Sequence, residues 1–67
     1  MLITKKIKLK LVGLDGNAFS LLGSFSKQAK RENWTSEEIS FVLEKAQSGN
    51  YDNLLNVLSS YCDEGGF

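Results

Sequence analysis

Ile3-Thr4-Lys5-Lys6-Ile7-Lys8-Leu9-Lys10-Leu11 is the stretch on which the reading of the fold turns. Ile3, Ile7, Leu9 and Leu11 occupy odd positions, and Thr4, Lys6, Lys8 and Lys10 occupy even ones, the period-two alternation of a half-buried strand. After Val12 the turn formers Gly13-Leu14-Asp15-Gly16-Asn17 stop it. The spacing predicts one strand over residues 2–12. A lone strand leaves its backbone donors and acceptors unpaired, so either the tail or a second copy must pair with it. A chain of 67 residues buries only about 60% of its unfolded surface. An intermolecular ribbon would enlarge that core, and a homodimer is expected.

Outward from the strand the period changes. Ala18, Leu21, Leu22, Phe25 and Ala29 recur at helical spacing behind Asp15 or Asn17 as a cap, which predicts a helix over 17–32. Gly23 lies inside it, where the expected use of a glycine is to let another backbone approach. Thr35 and Glu38 have the spacing of a capping box, and Trp34 is placed to staple onto Ile39. Ile39, Val42, Leu43 and Ala46 continue that helix over 36–48, with Gly49 as terminator. Tyr51, Leu54, Leu55, Leu58 and Tyr61 or Cys62 form a third apolar face over 51–62 behind Asn50. The expected fold is therefore α+β: one small domain over 1–67, an N-terminal strand paired across a homodimer, then three short helices.

The inventory narrows the chemistry. With no His, no Pro and one Cys, the chain cannot build a Cys-His or Ser-His-Asp site, a histidine-bearing metal site or a multi-Cys zinc site. Cys62 has no partner for an intrachain disulfide and reads as a packing thiol. Glu37, Glu38 and Glu44 share one helix, but nothing in the sequence separates their pKa values for acid–base work. No enzyme activity, cofactor or metal is expected. No apolar run approaches the ~20 residues needed to span a bilayer. Residues 1–10 lack a cleavable apolar stretch, so a cytoplasmic protein without a membrane partner is expected.

The zero net charge conceals a polarity. Residues 1–31 carry Lys5, Lys6, Lys8, Lys10, Lys27, Lys30 and Arg31 against Asp15, whereas residues 32–67 carry Lys45 against seven acids. Two readings follow: the halves fold together with their charges solvated, or Lys6, Lys8, Lys10, Lys27, Lys30 and Arg31 form a basic binding face. Asp15-Gly16-Asn17 has a similar duality, being a turn and cap or a ligand loop at a helix N-terminus. Tyr51 and Asp52 read as an anchor and first-turn acid, or as an aromatic platform and acceptor for a bound base.

Leu11-Val-Gly-Leu-Asp-Gly-Asn-Ala-Phe19 and Ser48-Gly-Asn-Tyr-Asp-Asn-Leu-Leu55 together resemble a group of short phage and bacterial proteins with a D-G-N-A-F and S-G-D-Y-D-x-L-L motif pair. The resemblance covers roughly residues 7–61, departing at Asn50, where the group has Asp, and in a tail without a final strand. It implies a phage or mobile-element setting more than an activity. It marks Asp15, Gly16, Asn17, Phe19, Tyr51 and Asp52 as candidate ligand- or partner-binding residues. The expected function is that of a non-catalytic accessory protein binding a host protein or a nucleotide signal stoichiometrically, as counter-defence and host-takeover proteins do. The alternative is a dimeric ribbon-helix-helix-like DNA-binding regulator presenting Lys6, Lys8 and Lys10 to the major groove. Against it, Glu37 and Glu38 occupy the helix start that such folds place on phosphate.

Overall fold

The computed structural model describes residues 3–11 and 16–63. It contains three helices, α1 (Ala18–Arg31), α2 (Ser36–Gln47) and α3 (Tyr51–Ser60). Each starts where a side chain takes up a free backbone donor. Asn17 accepts from the Phe19 N–H, and Asn50 accepts from the Asn53 N–H. At α2, Thr35 accepts from the Glu38 N–H while the Glu38 carboxylate accepts from the Thr35 N–H, a complete capping box. Helix α1 ends without a glycine. Asn33 adopts a φ of 67°, which brings the Trp34 N–H to the Ala29 carbonyl and the Asn33 N–H to the Lys30 carbonyl. These two bonds are those of a Schellman cap, with asparagine in the left-handed position that glycine usually fills.

The α+β expectation is corrected: the described residues are mostly helical and hold no strand or sheet. Among the described residues, 3–11 make a single parallel bridge, between Ile7 and Cys62. The Ile7 N–H donates to the Tyr61 carbonyl at 2.9 Å, and the Asp63 N–H donates to the Ile7 carbonyl at 2.7 Å. The Lys8 N–H, on the opposite edge of the backbone, is taken by the Glu32 carboxylate at 2.7 Å. Among the described residues the first segment meets only the turn beyond α3 and a side chain, so no ladder is built there. Burial also follows a different period. Ile3, Ile7 and Leu11 enter the core, Leu9 is half-buried, and Lys5 stands exposed on the face predicted to be apolar. Both backbone groups of Ile7 are satisfied within the chain, so the ribbon across a homodimer loses the unpaired strand that called for it.

The core gathers Leu21, Leu22, Phe25 and Ala29 of α1, Ile39, Val42 and Ala46 of α2, and Leu54, Val57 and Leu58 of α3. Ile3, Ile7, Leu11, Trp34 and Cys62 close it. Trp34 meets Phe25 and Tyr61 edge to face, with ring centroids 5.7 and 6.2 Å apart. Lys5 Nζ lies 5.2 Å from the Trp34 ring centre and 2.7 Å from Glu38 Oε1, tying the first segment to the start of α2.

Candidate functional site

The caps of α1 and α3 bring the two sequence motifs together. The Tyr51 hydroxyl donates to the Gly16 carbonyl, which sets the first residue of α3 against the entrance of α1. Between these starts and the end of α2 lies an open groove of about 330 Å³. Helix α1 contributes Ala18, Phe19 and Leu22, the end of α2 Ala46 and Gln47, the following turn Gly49 and Asn50, and α3 Tyr51 and Leu54. Leu22, Ala46 and Leu54 belong to the core, so the groove opens directly onto it. Phe19 is 82% exposed and Tyr51 44%, the two large exposed hydrophobic residues of the described chain.

The turn that shapes the groove is itself a packed device. A Cβ on Gly49 would meet Asn53 Cβ at 2.9 Å and Asn53 Cγ at 3.0 Å. Only glycine leaves that space, and Asn53 uses it to donate from Nδ2 to the Lys45 and Ala46 carbonyls at 3.0 and 3.2 Å. The last turn of α2 is thereby capped from α3.

Of the sequence-predicted residues, Phe19 and Tyr51 line this groove, while Gly16 and Asn17 do not line it but bond to those two residues, Gly16 accepting from the Tyr51 hydroxyl and Asn17 from the Phe19 N–H. Asp52 is exposed in the first turn of α3 and does not line it. Asp15 lies outside the described residues. Lys6, Lys8, Lys10, Lys27, Lys30 and Arg31 are all exposed and none lines the groove. Sequence reasoning missed Leu22, Ala46, Gln47 and Leu54 as walls, because their meeting depends on how three helices pack. Phe19 was detectable, since it falls off the apolar stripe of α1.

Every lining side chain among the described residues is uncharged, so these walls offer shape and apolar surface rather than proton transfer. The perturbed ionisable groups lie elsewhere. Glu32 is held below the ordinary glutamate range, first by the Gln28 side-chain N–H and then by the Lys8 backbone N–H. Glu38 is lowered by Lys5 first and then by the Thr35 N–H. Burial pushes the Cys62 thiol up to about 11, the behaviour of a packing thiol that stays protonated at neutral pH. Among the described residues no three His, Cys, Asp or Glu side chains gather as a metal site, and no helix is long and apolar enough to cross a membrane. Compared with models of protein families, with curated proteins and with solved structures, the chain matches none.

Proposed function

We propose that this chain is a non-catalytic binding protein that captures a partner protein stoichiometrically, in the cytoplasm of a host cell, with the groove beside Phe19 as the seat. The observation that carries the reading is Phe19 itself, 82% exposed on the wall of an apolar groove. Covering such a side chain contributes roughly 1.5–3 kcal/mol, and aromatic residues seated in pockets dominate interface energies. Of the two partner classes, a protein fits better than a nucleotide. The groove has no cationic side chain for a phosphate, and the caps Asn17 and Asn50 already accept from N–H groups at the two helix starts beside it. The resemblance of the motif pair to short phage proteins supports a phage or mobile-element setting and a host target, as in counter-defence.

The test is to carry tagged wild-type and Phe19→Asp chains through infected cells and weigh the purified complexes by native mass spectrometry. Wild type is expected to retain one partner protein per chain. Phe19→Asp is expected to lose it while keeping its thermal transition, since exposed substitutions usually change stability by less than about 0.5 kcal/mol. Retention of the partner by Phe19→Asp, or recovery of a nucleotide in its place, overturns the reading.

A further inference from the structure

Seven of the eight cations of the chain lie on two elements, the first segment and the second half of α1, and six of these, all but the paired Lys5, make no ion pair among the described residues. The fold joins these elements at one point, where the Lys8 N–H donates to the Glu32 carboxylate just beyond α1. Lys6 and Lys8 flank Ile7, whose side chain is fully in the core, so theirs leave the bridged backbone on the opposite side. Lys10 is exposed as well. On α1, Lys27 and Arg31 are four residues apart and share a side, next to the row of Gln28 and Glu32 that meets Lys8. Lys30 and Arg31 fill the last turn.

The grouping is not neutralised from within. Among the described residues the one ion pair joins Lys5 to Glu38, and none of these six cations takes part in it. The adjoining anions are Glu32, which receives two N–H donors, and Asp63, whose N–H meets the Ile7 carbonyl. Counted over the described residues, six cations against these two acids leave the face at a net +4. Lys27 and Arg31 also form a repulsive pair along the helix.

We propose that Lys6, Lys8, Lys10, Lys27, Lys30 and Arg31 form a cationic face that binds the phosphate backbone of a nucleic acid without reading its sequence. The face carries five lysines, a residue type depleted from protein interfaces. Among the described residues it also lacks an exposed aromatic anchor, because Phe19 and Tyr51 both stand at the groove. A phosphate backbone needs neither pocket nor anchor. Positioned cations suffice, with release of condensed counterions driving the association. The proposal does not depend on the groove or on a two-stranded ribbon.

Fluorescence anisotropy of a labelled random 24-base-pair DNA duplex, titrated with the full chain at 20–200 mM NaCl, tests it. With four to six phosphates neutralised, the logarithm of the association constant is expected to fall against that of salt with a slope of about −4 to −5. Between 50 and 200 mM NaCl the loss is then roughly 10²–10³-fold. The combined variant Lys8→Gln, Lys27→Gln, Arg31→Gln should flatten the slope by about 3, near one for each lost contact. Lys45→Gln should leave it unchanged. If the combined variant does not fold, Lys27→Gln alone should flatten the slope by about 1. No binding of the duplex at 20 mM NaCl overturns the proposal, as does an unchanged slope in the variants. Equal affinity for a poly-glutamate peptide of matched charge also overturns it, assigning the face to an acidic polypeptide.

Discussion

Asn33 holds the left-handed turn that closes α1 and feeds Trp34 into the core. Asparagine tolerates that conformation better than other non-glycine residues, and alanine does not. Asn33→Ala should therefore cost about 1 kcal/mol in urea denaturation, whereas Asn33→Gly should cost nothing measurable. The two glycines inside the helical region behave oppositely. At Gly49 a methyl group would displace Asn53 and uncap α2, so Gly49→Ala should lower the melting temperature. At Gly23 a Cβ meets nothing within 4 Å, and the close approach expected of that position is not made within the described chain. Gly23→Ala should stabilise the protein by up to ~1 kcal/mol through helix propensity alone. Ile7 is wholly buried, and Ile7→Ala should cost about 2–5 kcal/mol as a cavity is left.

Each helix announces itself through neighbours in sequence. Thr35 and Glu38 are three residues apart and bond each other as their types dictate, and Asn17 and Asn50 cap helices that begin one residue later. The first segment was misread because a strand is defined by its partner, which local alternation does not supply. Lys5 on the odd face was the available warning: it leaves the core for Glu38 and the Trp34 ring. The groove was half legible in the same way. Phe19 was named with the D-G-N-A-F motif, but its facing walls come from residues 22–54 and depend on packing. The segment's own tie should show in acid. Glu32 and Glu38 titrate below their ordinary 4.5 when folded. Their contribution is present above the unfolded value and is lost as pH falls through the lowered folded ones. The urea midpoint should be level above pH 4.5 and decline below it. The pair Glu32→Gln, Glu38→Gln should decline less steeply.

Across the whole molecule, the Ile7–Cys62 bridge spans almost the full chain length. Closing so long a loop costs about 3.5 kcal/mol beyond a constant, whereas the helices need mainly local contacts. Segment 3–11 is thus the part expected to undock first, as a separate opening unit below the global unfolding free energy. Four trypsin sites, Lys5, Lys6, Lys8 and Lys10, lie on that unit, so nicking there counts how often it lifts. Under native conditions trypsin should cut these lysines well before Lys45, which stands in α2, and Ile7→Ala should hasten that cut more than global stability accounts for. A polyanion lying across both the segment and the end of α1 would hold the unit shut by mass action. The same duplex that titrates the cationic face should then slow the first cut in proportion to its occupancy, making protease resistance a readout of how the chain is latched.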